Sequence, residues 1–168
     1  MDAVSEVRRA TDSDLYALAH HRVAMFRDMH AVEPASEPAL LQAAVQDLSD
    51  AIAAGEYVAW VAHLAGQPQV VVAGAGVQLR RLLPRPDDDR TTVVRGREGI
   101  VLNMYVEPDY RRRGIARQLM NAILAWARDG RVARLVLHAS QDGRHLYTAM
   151  GFVPTNEMQF SGPLSHPV

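Results

Sequence analysis

The 168-residue chain contains no cysteine, only 6% of it is aromatic, and its 18 basic and 19 acidic residues nearly cancel. The first absence excludes disulfide frameworks, thiolate zinc sites and cysteine nucleophiles. The formal charge of -1 supplies no overall pull toward nucleic acid or an anionic membrane, so any anion site must be local. Scarce aromatics argue further against a nucleic-acid-binding module. Met1 to Glu6 carry neither a basic leader nor an apolar core of signal-peptide length, and no later apolar run could span a bilayer; the expectation is a cytoplasmic chain without a membrane partner. No G-x-x-x-x-G-K-[ST] occurs, which disfavours a nucleoside triphosphatase. Seven histidines are present, but His20 and His21 are adjacent and face different ways on a helix. No metal-binding spacing joins His30, His63, His138, His145 or His166, so no metal site is expected.

What is present is ordinary globular usage, 48% hydrophobic and 22% charged, in a length that predicts one domain over residues 1–168. A chain of this size can bury roughly two thirds of its surface and fold on a hydrophobic core alone. Val4 to Arg9 alternate weakly. Thr11 and Asp14 then approximate a capping box before a helix whose Leu15, Leu18, Arg22, Met25, Phe26 and Met29 follow helical spacing and which must stop before Pro34. Residues 37–54 fit a second helix with Leu41, Val45, Leu48 and Ile52 on one face and Gly55 as its left-handed cap. Tyr57 to Leu64 and Gln69 to Leu82 read as a valine-rich hairpin. Gly74-Ala75-Gly76 belongs to its second strand, because Leu79 stands where a dinucleotide fingerprint needs its third glycine. Pro84 to Arg90 reads as a solvated loop. Ile100 to Val106, a helix over 113–128 and Leu135 to Ala139 make a βαβ unit with parallel strands. A short helix at about 142–150 ends at Gly151, and a last strand is expected near Met158 to Phe160.

The chemistry concentrates between Asn103 and Arg117. A strand ends at Pro108, turns through Arg111-Arg112-Arg113, and enters a helix at Gly114 with the small Ala116 just beyond. Unpaired amides at a helix start converge on one point, the macrodipole adds favourable potential, and glycine admits a phosphate without a β-carbon in the way. This is a cradle suited to a pyrophosphate.

The segment Arg111-Arg112-Arg113-Gly114-Ile115-Ala116 resembles the pyrophosphate loop [QR]-x-x-G-x-[GA] of the GNAT superfamily, the acyl-CoA-dependent N-acetyltransferases. The resemblance is reinforced by Leu146-Tyr147 and Gly151-Phe152 at the family's distance downstream. It extends in element order over most of the chain and is strongest over residues 100–153. It implies an α/β fold with a mixed, mostly antiparallel sheet, a parallel βαβ core and about four flanking helices. It also implies acetyl-CoA as co-substrate and a single-domain enzyme that acylates a primary amine of a small molecule or peptide by direct attack. Met104, Tyr105 and Val106 would lend backbone hydrogen bonds to the pantetheine arm, and Arg111, Arg112, Arg113, Gly114, Ile115, Ala116 and Arg117 form the phosphate loop. Ser140 stands where many members carry an asparagine that contacts CoA; capping the short helix is the other reading. Tyr147 matches the family's general acid beside the CoA sulfur.

Acyl transfer also needs a neutral amine and a polarised carbonyl. Glu98, Glu107 and Glu157 are candidate bases, and Asn103 and Tyr105 fall on the strand face that could look into an acceptor cleft. Arg22 and Arg27 fit a solvated face better than an acceptor carboxylate, and Met25, Phe26 and Met29 fit core packing. A noncatalytic acyl-CoA sensor would keep the same cradle without turnover. The acceptor itself is not named by the sequence, and a homodimer is the natural assembly if there is one.

Overall fold

The computed structural model describes residues 5–162, which fall into two compact units divided after His138 and taken separately below. In the first, β1 (Ser5–Arg9) leads through a capped turn into α1 (Leu15–Asp28) and α2 (Glu37–Ala53). Strands β2 (Tyr57–Leu64), β3 (Gln67–Pro86) and β4 (Val93–Val106) follow, then α3 (Ile115–Trp126) and β5 (Arg134–Leu137). The five strands lie in sequence order in one sheet, antiparallel except for the β4–β5 pair, whose crossover through α3 permits parallel pairing.

The capping chemistry at Thr11 is present: its backbone amide and hydroxyl both donate to Asp14 Oδ2, at 2.8 and 3.0 Å. Arg8 closes on the same carboxylate, tying β1 to the start of α1. Gly55 sits at φ +69°, where the amides of Ala54, Gly55 and Glu56 fold back onto the last turn of α2. Strand alternation then assigns the two faces of β2. Tyr57, Ala59 and Val61 pack with Leu18, Ala19, Ala44 and Leu48 beneath α1 and α2, while Trp60 turns to the other face and meets Trp126 of α3 at 5.4 Å between rings.

Two sequence expectations are corrected. Pro84 to Arg90 is not wholly loop. Strand β3 runs on to Pro86 opposite Val93, because a bulge between Leu82 and Arg85 absorbs Pro84, and a two-stranded arm tolerates prolines whose missing donors face outward. Only the tip turns, closed by the Asp87 amide on the Thr92 carbonyl at 3.1 Å. The strand expected at Met158 to Phe160 is absent: residues 152–162 join no ladder, and Met158 is 93% exposed, so nothing buries the apolar side chains that suggested it. In the second unit the ordered element is α4 (Arg144–Ala149), whose N-terminal turn is held by the Gly143 amide on Ser140 Oγ at 3.1 Å.

Glu98 of β4 is fully buried, yet its carboxylate meets Arg80 of β3 (Nε to Oε1, 2.6 Å) and Arg134 of β5. One acid thereby clamps three neighbouring strands. Both arginines are about half exposed and would rehydrate if the acid were lost, whereas the acid has no access to water. Glu98→Ala should therefore cost about 2 kcal/mol, and the double change Arg80→Met with Arg134→Met about 3–5 kcal/mol, in denaturant unfolding.

Candidate active site

Strand β4 is kinked where the chemistry was expected. Asn103 adopts φ +55°, and the pairs Gly74↔Tyr105 and Gly76↔Leu102 set three steps of β4 against two of β3, a bulge of one residue. The ladder with β5 ends just before it, at Val101↔Leu137. Beyond that point the β5-side edge of β4, including Met104, Tyr105 and Val106, pairs with no strand among the described residues. The sheet is closed at Glu98 and open from Leu102 onward.

The open edge leads into the basic turn. Arg112 and Gly114 take left-handed conformations, φ +62° and +79°, and Gly114 caps α3. A β-carbon at Gly114 would meet nothing within 4 Å, so conformation and access, not crowding, make glycine fit there. Among the described residues the amides from Arg112 to Arg117 donate to no backbone carbonyl; the first that does is Gln118, to Gly114 at 3.0 Å. Arg112, Arg113 and Arg117 are exposed, with Arg113 over the Tyr110 ring at 5.6 Å, while Ile115 is buried and anchors the helix start. Arg111 is spent differently. Its Nε donates to the Val106 carbonyl at 2.9 Å, its guanidinium pairs with Asp28 of α1 and lies 5.4 Å from the Tyr105 ring, so it braces the turn against β4 and α1.

On the helical face of β4 the Asn103 side chain is 4% exposed and used at both ends. Its Oδ1 accepts from Arg22 of α1 at 2.6 Å, and its Nδ2 donates to Tyr57 Oη at 2.9 Å. Burial pushes the Tyr57 phenol up to about 12. These three line a cavity of about 240 Å³ beneath α2, with Gln78, Leu102, Asp47 and the apolar residues Leu40, Ala44, Leu48 and Ala51. Gly76 makes room: a β-carbon there would lie 2.0 Å from Tyr57 Oη. Arg22, expected on a solvated face, is thus turned inward. Met29 is exposed rather than core, because α1 ends one residue before it.

Tyr57 carried no sequence signal as a site residue: Gly76, which clears space for its hydroxyl, stands opposite Ala59 in the ladder and Tyr57 opposite Gln78. His21 was weighed only as a metal ligand. It is buried against Tyr105 (5.3 Å between rings), with Nε2 3.3 Å from Glu107 Oε1 and Nδ1 without a hydrogen-bond partner. A β-carbon at Gly74 would come within 3.2 Å of that Nδ1. Among the candidate bases, Glu98 is committed to its two arginines, Glu107 to His21, and Glu157 lies exposed in the segment after α4. In the second unit Tyr147 is buried, packs edge-on against Phe152, and has its pKa raised by burial.

These features agree with what the chain is similar to. The family model described as an acetyltransferase (GNAT) domain matches residues 55–154. The chain belongs to the GNAT acetyltransferase family, whose members transfer acyl groups from CoA. A GCN5-related N-acetyltransferase from Ralstonia eutropha JMP134 superposes with a TM-score of 0.79 at 33% identity, over 95% of this chain and 98% of that one. A predicted acetyltransferase from Clostridium acetobutylicum, solved with acetyl-CoA, gives 0.73 at 25% identity, over 94% and 96%. The enzyme AAC(6')-Iy, solved with the bisubstrate analogue CoA-S-monomethyl-acetylneamine, gives 0.67 at 17% identity, over 97% and 100%, a likeness of fold. No curated protein matches the chain.

The buried His21 makes a stability prediction. Burial, with His20 beside it, lowers its pKa from 6.5 to about 4, and the one-third-exposed Glu107 carboxylate does not reverse this. The unfolded chain therefore takes up the proton first as pH falls. Native stability should be untouched above about pH 6.5 and lose roughly 3 kcal/mol by pH 4. Urea titrations across that window should show the loss in the wild type and a shallower one in His21→Leu.

Proposed function

We propose that the chain is an N-acetyltransferase that moves an acetyl group from acetyl-CoA to a primary amine of a small molecule or peptide by direct attack. The observation that carries this reading is the continuity of a free β4 edge beyond Val101 with a run of uncommitted amides at the start of α3. An extended pantetheine arm wants the first, and a pyrophosphate wants the second. Acetyl-CoA would supply an activated acyl carbon and a thiolate leaving group. Met104 to Val106 would hold the arm through their backbone, Arg112 to Arg117 would hold the phosphates, and Arg111 would keep the turn in place. Asn103 fixes the kink at which the acyl carbonyl would rest. Tyr147 would protonate the departing thiolate. A phenol is protonated at neutral pH, as a general acid must be, with or without the upward shift that burial gives Tyr147. Glu157 would take the amine proton, through water, and Ser140 would act beside the coenzyme.

The same proposal treats residues 1–168 as one domain, a view supported by a family match that runs through residue 138 without interruption. It includes a cytoplasmic setting, no nucleic-acid partner and the option of a homodimer. No described helix is long and apolar enough to cross a membrane.

Incubation with acetyl-CoA and a panel of primary amines should release free thiol; no release with any amine would refute the reading. Tyr147→Phe should lower kcat about a hundredfold to ten-thousandfold and leave CoA affinity in place, and undiminished turnover would remove Tyr147 from the acid role. Gly114→Asp sets a carboxylate among the phosphate-binding amides and should weaken CoA binding by more than about tenfold in calorimetry. Arg112→Ala or Arg113→Ala should each cost less, since main-chain donors do most of the holding.

A further inference from the structure

The cavity beneath α2 holds polar groups that acyl transfer as such does not require. We infer that the acceptor amine also bears a carboxylate, and that Arg22, seconded by Tyr57, is the pair that binds it. The inference rests on the acyltransferase reading and names the acceptor class for it.

The donors and acceptors around the cavity do not balance. Asn103 is engaged at both ends, its Oδ1 accepting from Arg22 and its Nδ2 donating to Tyr57 Oη. The guanidinium of Arg22 still has N–H groups to give, and the Tyr57 hydroxyl, having accepted from Asn103, still has its own proton to give. Arg8, Arg27, Arg80, Arg111 and Arg134 each pair with an aspartate or glutamate. Arg22 lines a cavity and has no carboxylate within ion-pair distance among the described residues. A half-buried cation flanked by a second spare donor is a site for an anionic acceptor.

Shape and charge narrow the anion. The Arg22 guanidinium lies 4.9 Å from the Phe26 ring centroid and is held at one nitrogen by Asn103, which fixes the planar fork that matches a carboxylate. One cation, with Asp47 also in the lining, suits a monoanion better than a dianionic phosphate. The volume of about 240 Å³ lies below the usual range for drug-sized ligands, and Leu40, Ala44, Leu48 and Ala51 offer an apolar wall. An amino acid with a small or apolar side chain fits both. Position agrees: Leu102 and Asn103 line this cavity and are the first residues of β4 past its ladder with β5, where the acyl group is proposed to arrive.

The test compares glycine, alanine and leucine with glycinamide, alaninamide and leucinamide as acceptors, with acetyl-CoA, by thiol release. Intrinsic amine reactivity cancels when the carboxylate-to-carboxamide ratio of kcat/KM is compared between proteins. In Arg22→Gln that ratio should fall about tenfold to a hundredfold, chiefly through KM, and Arg22→Lys should retain part of it. Calorimetry of N-acetylleucine and N-acetylleucinamide on the CoA-loaded protein supplies a readout free of turnover. The carboxylate should bind the wild type more tightly, and Arg22→Gln should erase the difference. An unaltered ratio in Arg22→Gln, or equal binding of the two probes by the wild type, overturns the inference. Turnover confined to carboxamides or other uncharged amines would leave the acyltransferase reading standing and refute the carboxylate. If no amine is acetylated the acyltransferase reading fails, and the calorimetric pair alone decides for or against Arg22.

Discussion

The left-handed turn of Asn103 inside β4 is the constraint on which the rest of the site depends. A residue with a β-carbon at φ +55° is strained by about 1 kcal/mol or more, and asparagine is the type that bears it most readily. Here the strain is held by two side-chain hydrogen bonds, one to each of two separate elements, so the kink cannot relax without breaking contacts to α1 and β2 together. The extra residue interrupts the β3–β4 register between Gly74 and Gly76, and it lies two residues past the last rung with β5. One backbone irregularity thus adjoins both the open edge of β4 and the polar end of the cavity.

An opening in a sheet needs a closed end to hold it. Glu98 provides that end, five residues before the kink, by drawing Arg80 and Arg134 onto one buried carboxylate. A buried acid is a poor source of stability when compared with apolar packing, but it fixes which strands lie side by side and in what register. The pairs Arg80↔Glu98 and Glu98↔Arg134 are directly opposite in the ladders, so the salt bridges and the backbone register specify the same alignment. Gly99 allows it sterically: a β-carbon there would come within 2.7 Å of Val77 and 2.9 Å of Leu135.

Much of this was legible in the residues. The two first helices, the β2–β3 hairpin, the βαβ unit and the turn into α3 follow from capping residues, periodicity and glycine position, all of them local signals. The basic turn was found because its function is performed by backbone, and Gly114 advertises the backbone conformation. What stayed hidden depends on partners distant in sequence. Arg22 on a helix reads as solvent-facing until Asn103, 81 residues later, draws it inward. Tyr57 reads as core until Gly76 is seen to clear space for its hydroxyl. The arm through Pro86 was missed because proline rules describe central strands, and the strand expected at Met158 to Phe160 failed because alternation without a surface to pack on does not make a ladder.

The charge distribution gives the two sides of β4 different characters. Toward α3, the amides from Arg112 to Arg117 donate to no backbone carbonyl among the described residues, and Arg111, paired with Asp28, works as a brace. Such dipoles can host a highly charged phosphate, and the exposed Arg112, Arg113 and Arg117 put positive charge around them in a chain whose net charge is only -1. Toward α2, a single guanidinium sits beside a hydrocarbon wall with its hydrogen bonds partly unmade. Half-burying an unpaired cation opposes folding, and among the described residues Arg8, Arg27, Arg80, Arg111 and Arg134 pair with acids instead. The proposed carboxylate would resolve that imbalance only when an acceptor is bound, so the same unmade bonds that weaken the empty site would be the source of its selectivity.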